Sequence, residues 1–234
     1  QFASSAASDV YKRQAMSRIR SINSIFTVDC VIFGFDGEQM KVLLIERGEE
    51  PFTGFKAIPG DFGNIDEEME DSAARVLKEL TGLENIFLEQ VCAMGGRDRH
   101  PWGRIITISY YALIKLDEYQ LNPASFALNA EWFPVDEIPD LAFDHEEIIG
   151  KCVGRLRAKV KNRPLGFELL PKKFTLRELQ SLYESILGYE MDKRNFRRKV
   201  LKLDMIVPLN EKQEDVPHKA ARYYRFDQKN MTNL

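Results

Sequence analysis

The chain has 234 residues, with 33 Lys and Arg against 36 Asp and Glu, and 44% of its residues are hydrophobic. Its length fits one large domain or two small ones, and its apolar content excludes an intrinsically disordered chain. No apolar run approaches the roughly 18–20 residues that span a bilayer, and three scattered cysteines exclude a disulfide scaffold or a CxxC metal site, so a cytoplasmic protein without a membrane partner is expected.

The nearly balanced charge hides an uneven distribution along the chain. Residues 1–171 carry 19 basic and 27 acidic side chains, whereas residues 172–234 carry 14 basic and 9 acidic ones. A basic segment behind an acidic body indicates two parts with different tasks, one of which binds a polyanion. A solvated basic surface without a partner is the alternative.

The first 163 residues predict a leader and one α+β domain. Residues 1–15 lack the apolar region of a signal peptide and are expected to be a non-native or disordered leader. Two runs of β-branched and aromatic residues, 25–35 and 40–47, flank a turn at Asp36-Gly37 and predict a hairpin. A loop rich in Gly, Pro and Asp begins at Phe55, and a helix is predicted from Asp66 to Thr81, ended by Gly82.

Three more strands and a second helix complete this domain. The strands are predicted at 87–94, 104–114 and 130–137, and the helix at 144–162 with Asp144 as its N-cap. Mixed strands with two helices over residues 22–163 are typical of a single α+β domain.

Residues 164–234 predict a separate winged helix-turn-helix domain. Apolar residues recur at helical spacing from Leu176 to Ile186, and Thr175 is a suitable N-cap. A second short helix follows Asp192, and two apolar runs at 205–209 and 221–226 predict a hairpin. Helix, turn, helix and hairpin in this order are typical of a DNA-binding winged helix.

The second helix of this domain carries most of the residues that we expect to contact DNA. A helical projection places Phe196, Val200 and Leu203 on one stripe, with basic and amide side chains opposite. Arginine can bind guanine through two hydrogen bonds, asparagine can bind adenine, and flanking basic residues suit phosphates. With two residues of the hairpin, the candidates are Lys193, Arg194, Asn195, Arg197, Arg198, Lys199, Lys202, Lys219 and Arg222.

Residues 59–83 resemble the Nudix box of hydrolases that cleave nucleoside diphosphates linked to another group. The spacing of the motif is kept. Asp61 stands at the position of its first glycine, and the residues of the motif are retained at Glu67, Arg75, Glu79 and Gly82. Val76 and Leu80 replace two of its glutamates. One carboxylate beside two apolar side chains is a poor site for Mg²⁺, which prefers near-octahedral oxygen ligands. We therefore expect no metal, no cofactor and no enzymatic activity, with residual hydrolysis of ADP-ribose-like substrates as the alternative.

A small-molecule pocket is expected at the loop that follows the third predicted strand. Residues 96–104 combine three arginines with an Asp, a His and a Trp. Guanidinium groups suit phosphates, carboxylates or sugar hydroxyls, and Trp stacks on rings, although a solvated connection between strands is the alternative. The candidate effector-binding residues are Arg47, Asp61, Phe62, Arg97, Asp98, Arg99, Trp102, Arg104 and His145.

The degenerate Nudix box followed by LLPKKFTLRELQSLYESILGYEMDKRNFRRKVLKLDMI resembles the Nudix-related transcriptional regulators, which include the NrtR repressors of NAD metabolism and the arabinose-responsive AraR regulators. The resemblance covers residues 24–228. It implies a Nudix-fold α/β/α sandwich and a homodimer that binds a palindromic operator in double-stranded DNA. It also implies a small-molecule effector, which is ADP-ribose in NrtR-type members and a free pentose in AraR-type members.

The identity of the effector stays open at this point. The family's Asp-Arg-Asp-Pro loop is represented here by Asp98-Arg99-His100-Pro101. The loss of two metal carboxylates favours the sugar-responsive branch, so our first hypothesis is a repressor that senses a sugar such as L-arabinose. The alternatives are a regulator that senses ADP-ribose, and an adaptor whose basic domain binds an acidic protein.

Overall fold

The computed structural model describes residues 26–162, 169–202, 206–214 and 220–227. Within these ranges no helix is both long and apolar enough to cross a membrane. The predicted leader at 1–15, the domain boundary near 163, Leu203 and Lys219 lie outside the described residues. In chain order the elements are β1 (Phe26–Phe35), β2 (Met40–Arg47), β3 (Lys56–Ala57), β4 (Gly60–Phe62), α1 (Met69–Thr81), β5 (Glu89–Met94), β6 (Ile106–Lys115), β7 (Ala127–Pro134), α2 (His145–Asn162), β8 (Phe174–Thr175), α3 (Leu176–Leu187), α4 (Lys193–Val200), β9 (Ile206–Lys212) and β10 (Arg222–Phe226).

The larger sheet is organised around β1. Its strand order is β3-β2-β1-β6-β5, with β7 added to β2 and β4 added to β1, and β1 runs parallel to β6. Alternate residues of β1 point to opposite faces of a sheet. Val28 and Ile32 therefore join the apolar cluster of α1, whereas Val31 and Phe33 join that of α2. Helices on both faces make an α/β/α sandwich, which confirms the predicted fold.

The segment between the hairpin and α1 differs from the prediction, which was a loop followed by a helix that starts at Asp66. It contains β3 and β4, and β4 pairs with β1 through Thr27 and Phe62. Strands of two or three residues carry no alternating pattern, so the sequence did not reveal them. The helix starts only at Met69, after a turn, and it ends as predicted at Gly82, whose φ of 79° and N–H bond to the Lys78 carbonyl form a C-cap.

The C-terminal part is a winged helix-turn-helix, as predicted. Helices α3 and α4 pack on a three-stranded sheet of order β8-β10-β9. Thr175 caps α3 in a capping box, in which its hydroxyl accepts the N–H of Glu178 and the Glu178 carboxylate accepts the N–H of Thr175. The Asp192 carboxylate accepts the N–H of Asn195 at 2.8 Å and so fixes the start of α4.

The two domains share one apolar cluster. Leu156 and Val160 of α2 belong to the same cluster as Leu179 and Leu182 of α3. Two hydrogen bonds also join the domains at this junction. The Met40 N–H donates to Ser185 Oγ at 2.6 Å, and Arg157 Nε donates to the carbonyl of Ile186 at 2.7 Å. The winged helix is thus in direct contact with α2 and with the start of β2.

Candidate functional site

A cavity of about 290 Å³ lies between β1, β4, the loop after β5 and the start of α2. It gathers segments that are far apart in sequence. Six of the nine candidate effector-binding residues line it, namely Arg47, Asp61, Phe62, Arg99, Trp102 and His145. The other three, Arg97, Asp98 and Arg104, are exposed and do not line it.

The closed end of the cavity holds two buried titratable side chains, Asp29 and His145, which are 4% and 5% exposed. His145 Nδ1 accepts the N–H of Ile58 at 3.1 Å, so the proton of the neutral ring is on Nε2. Burial lowers the pKa of His145 from 6.5 to about 3. Burial also raises the pKa of Asp29 from 3.8 to about 7, against the opposing effect of the Arg99 charge. Nε2 of His145 lies 3.9 Å from Asp29 Oδ2, which is too far for a direct hydrogen bond.

Arg99 is engaged by the protein itself. Its Nε and Nη2 donate to the two carboxylate oxygens of Asp144 at 2.8 and 2.7 Å, and Nη1 donates to the Thr107 hydroxyl. The side chain is only 7% exposed. Asp144 precedes α2 as predicted. Its bidentate ion pair with Arg99 joins the loop after β5 to the start of that helix. Arg99 therefore holds the wall of the cavity in place.

Arg47 is the second guanidinium of the cavity and has free donors. Its Nε donates to the Pro51 carbonyl at 2.9 Å, and its guanidinium carbon lies 5.1 Å from the ring centres of both Phe126 and Phe143. It forms no ion pair with any residue in the described ranges. A positive charge held by two rings at a cavity wall suits a phosphate or another anion.

Aromatic rings surround the open end of the cavity. The His100 ring stacks on Phe143, with ring centres 4.9 Å apart and an angle of 16° between the rings. The Phe52 ring contacts the Phe143 ring edge-on, with ring centres 4.7 Å apart. Burial, followed by the Arg99 charge, lowers the pKa of His100, which favours the uncharged ring. Trp102 packs against His100 and is 63% exposed. This arrangement suits a flat heterocycle.

The residues of the degenerate Nudix box have partners within the protein. Arg75 donates to both carboxylate oxygens of Glu67, at 2.9 and 3.1 Å, to Glu79 at 3.2 Å and to the Phe62 carbonyl at 3.0 Å. The hydrogen bonds from Arg75 lower the pKa of Glu67 to about 2. Val76 and Leu80 are buried in the apolar cluster beneath the sheet, on the opposite side of α1 from solvent. No group of three or more His, Cys, Asp or Glu side chains is arranged to hold a metal ion in the parts of the chain that are described.

Helix α4 presents a continuous basic surface. Phe196 and Val200 are buried, as the helical projection predicted, and the candidate DNA-contacting residues on this helix are all exposed. Arg198 Nη2 donates to Asn195 Oδ1 at 2.8 Å, which sets the two predicted base-contacting side chains next to each other. Lys202 and Arg222 are also exposed. None of the described candidates forms an ion pair with a described carboxylate, so their charges remain available to phosphates.

A small hydrogen-bond network fixes the turn between α3 and α4. Glu184 Oε1 accepts the N–H of Met191 at 2.7 Å and the side-chain amide of Gln180 at 2.8 Å. Gln180 Nε2 also donates to the Met191 carbonyl at 2.9 Å. This network determines how α4 leaves α3, and the sequence analysis had not identified it.

The sequence analysis also missed several residues of the cavity, above all Asp29, Phe126 and Phe143. For Asp29 the sequence did contain a signal, because a single carboxylate interrupts the apolar strand FTVDCVIFGF. A charged residue in a strand that is buried on both faces is rare unless it has a partner or a task. Phe126 and Phe143 lie at loop positions with no periodic pattern.

Comparison with known proteins matches both domains. Residues 24–152 match the NUDIX domain, and residues 166–226 match the NrtR DNA-binding winged helix domain. The ADPR responsive transcriptional repressor NtrR of Acinetobacter baylyi is 35% identical over 206 residues, which are 86% of this chain and 82% of that repressor.

Two solved structures extend the comparison. Shewanella oneidensis NrtR complexed with a 27mer DNA is similar with a TM-score of 0.70 and 30% identity, over 88% of this chain and 95% of that one. The NUDIX domain of the same protein, complexed with ADP ribose, is similar with a TM-score of 0.53 and 33% identity, over 57% of this chain and 88% of that one.

Proposed function

The chain belongs to the NrtR-type Nudix-related transcriptional regulators, and from this premise we propose that it is a DNA-binding repressor that ADP-ribose releases from its operator. The observation that carries the proposal is similarity through both domains at once to a repressor described as responsive to ADP-ribose. The cavity and the basic surface of α4 support the proposal, because such a function requires one site for the effector and one for DNA.

The cavity offers the chemistry that ADP-ribose needs. Arg47 presents unpaired guanidinium donors to a diphosphate, and the rings around Phe143 suit the adenine base. The acidic residues Glu49 and Glu50 lie at the exposed rim, where solvent screens their repulsion of an anion. Its volume of about 290 Å³ is just below the usual range for ligand pockets.

A free pentose such as L-arabinose is the second candidate effector. The loss of two carboxylates from the Nudix box favoured it, but the same loss fits a domain that binds ADP-ribose without cleaving it. A pentose would leave Arg47 without an anionic partner. We therefore rank ADP-ribose first.

We also propose that the chain does not hydrolyse ADP-ribose. The Mg²⁺ of a Nudix hydrolase needs several carboxylates on one face of the helix, and Val76 and Leu80 remove two of them. The two remaining glutamates, Glu67 and Glu79, are both bound by Arg75. These residues do not fit the metal. Release of AMP from ADP-ribose with Mg²⁺ or Mn²⁺, abolished by Glu79→Gln, would contradict this proposal.

At the DNA surface, we expect α4 to enter the major groove. Arg194, Asn195 and Arg198 would contact base edges, while Lys193, Arg197 and Lys199 would contact phosphates. A homodimer on a palindromic operator, in the cytoplasm, is part of the same proposal. It predicts a two-fold symmetric binding site, with half-sites spaced by about one helical turn of DNA.

The testing experiment selects binding sites from a randomised duplex library and then measures affinity by fluorescence anisotropy at physiological salt. We expect enrichment of a symmetric site, and we expect ADP-ribose to weaken binding to it by about 5- to 150-fold. L-Arabinose is tested alongside. Release of DNA by L-arabinose but not by ADP-ribose would identify the pentose as the effector. Binding of ADP-ribose without any change in operator affinity would refute the proposal that ADP-ribose controls DNA binding.

Substitutions in α4 test the DNA surface separately. Arg198→Ala should relax sequence preference, because it removes a contact to a base, at a cost of about 1–3 kcal/mol for the best site. Lys199→Ala is the matched control on the same helix, and it should weaken all duplexes alike and reduce the salt dependence. If both variants behave alike, the assignment of bases and phosphates is wrong.

A further inference from the structure

The closed end of the cavity places a hydrogen-bond acceptor beside a hydrogen-bond donor, which is not the pattern of an anion site. Asp29 Oδ2 and His145 Nε2 face each other at 3.9 Å. The bond from the Ile58 N–H to His145 Nδ1 leaves Nε2 as a donor, and this donor lies on the side of the ring that is near Asp29. A carboxylate that accepts and an imidazole that donates therefore lie side by side at the bottom of a ligand cavity.

The chemistry of this pair selects one type of ligand atom. When Asp29 is ionised, a phosphate oxygen could accept from His145, but it could not donate to Asp29 and would be repelled by it. An ammonium group could donate to Asp29, but it cannot accept from His145. A hydroxyl group does both, and an atom about 2.8 Å from each side chain fits between groups 3.9 Å apart. Asp29 cannot move away easily, because its Oδ1 lies against the backbone of Gly60, where even a Cβ would clash with it.

We propose that Asp29 and His145 together bind a hydroxyl group of the terminal ribose of ADP-ribose, and so select this ligand over nucleotides that end in a phosphate. This inference rests on the proposed function and adds to it the residues that recognise the second sugar.

The neighbouring groups place this hydroxyl site next to the anion site. The Phe143 ring is near both groups, since its centre is 5.1 Å from the Arg47 guanidinium and 5.2 Å from the His145 ring. Trp102 at the mouth is exposed, whereas Asp29 is buried. Exposed Trp102, half-buried Arg47 and buried Asp29 thus offer a ring, a guanidinium and a hydroxyl site at increasing depth, an order that suits base, diphosphate and terminal sugar.

The test is a comparison of two ligands and two variants by isothermal titration calorimetry. ADP-ribose carries the terminal ribose and ADP lacks it. We expect the wild-type chain to prefer ADP-ribose by about tenfold or more, because ADP lacks the hydroxyl group that would bind both Asp29 and His145. Asp29→Asn should reduce this preference by about tenfold, because it weakens the bond to the ribose hydroxyl and does not weaken the binding of ADP.

Asp36→Asn is the matched control, because it makes the same substitution just after β1 but outside the cavity. It should keep the full preference for ADP-ribose. An equal loss of affinity for both ligands in Asp29→Asn would overturn the proposal, because Asp29 would then act only on the shape of the cavity.

A second measurement does not depend on a stable variant. The ring signals of His145 in the wild-type chain can be followed by NMR during titration. We expect saturating ADP-ribose to shift the Nε2–H signal and saturating ADP to leave it nearly unchanged. A wild-type chain that binds both ligands with equal affinity would overturn the hydroxyl site alone, whereas a chain that binds no ADP-ribose would overturn the proposed function as well.

Discussion

Replacement of Arg99 by methionine is expected to destabilise the fold, whereas the same replacement at Arg47 is expected to weaken ligand binding. Both guanidinium groups line the cavity, but their surroundings differ. Arg99 forms a two-pronged pair with Asp144 and a further bond to Thr107, and its side chain is 7% exposed. Arg47 has one hydrogen bond, to the Pro51 carbonyl, and no ion pair with a described residue.

The magnitude follows from what each substitution leaves behind. Without Arg99, the largely buried Asp144 carboxylate loses its counter-charge and two charge-assisted hydrogen bonds. Removal of one partner from such a pair typically costs about 3–5 kcal/mol, because an uncompensated charge stays buried. Arg47→Met removes one hydrogen bond and keeps most of the packing on Phe126 and Phe143, so about 1 kcal/mol is expected.

Urea denaturation followed by circular dichroism gives the free energy of unfolding, and calorimetry gives the affinity for ADP-ribose. A double-mutant cycle supplies the control. Arg99→Met combined with Asp144→Asn should cost less than the sum of the single substitutions, by about 1–3 kcal/mol, because the two side chains interact directly. If Arg99→Met is no more destabilising than Arg47→Met, or if the cycle is additive, the structural role of Arg99 is refuted.

Three further predictions concern α1, the closed end of the cavity and the domain junction. Leu80→Glu, which restores a Nudix glutamate at a position that is 1% exposed, should lower the free energy of unfolding by about 3–5 kcal/mol without creating hydrolase activity, while Lys78→Glu on the exposed side should cost about 1 kcal/mol or less. Because the pKa of Asp29 is raised to about 7, this group stabilises the folded chain as pH falls below 7. Because the pKa of His145 is lowered to about 3, that group destabilises the folded chain as pH falls below 6.5. Asp29→Asn removes the first effect, so urea titrations between pH 6.5 and 4 should show a steeper acid loss than in the wild-type chain, and parallel curves would contradict the assignment. Arg157→Ala should leave ADP-ribose affinity unchanged but reduce the effect of ADP-ribose on operator affinity severalfold, and an unchanged ratio of operator affinities would exclude Arg157 from the coupling.

The long elements could be predicted from the sequence because their signals are local. The β1–β2 hairpin follows from two apolar runs around Asp36-Gly37, and α3 follows from its apolar spacing and Thr175. The short strands β3, β4 and β8 could not be predicted, because their residues become strands only through pairing with β2, β1 and β10. Helix α1 starts at Met69 and not at Asp66, and Glu67 in the preceding turn pairs with Arg75 of that helix, a contact that the local sequence does not reveal.

The candidate site was predictable only in part, because the local density of charges does not reveal which side chains bind other residues of the protein. Arg97, Arg99 and Arg104 have similar sequence surroundings. The structure separates them, because Arg99 pairs with Asp144, which is 45 residues away, and the other two are exposed. The buried end of the cavity needs β1 and α2 to meet, which no local pattern encodes. By contrast, the basic face of α4 was predictable because it lies on one short helix.

Helix α2 links the cavity to the domain that carries the DNA surface. Its first residue, His145, is at the closed end of the cavity, and Arg157 binds the carbonyl of Ile186 near the end of α3. Twelve residues separate them, which is about 18 Å along a helix. The next turn, which Glu184 holds, sets the orientation of α4. A ligand that binds two orientations of α2 with different affinity would shift the orientation of α4, and a difference of about 1–3 kcal/mol is enough for the expected release of DNA.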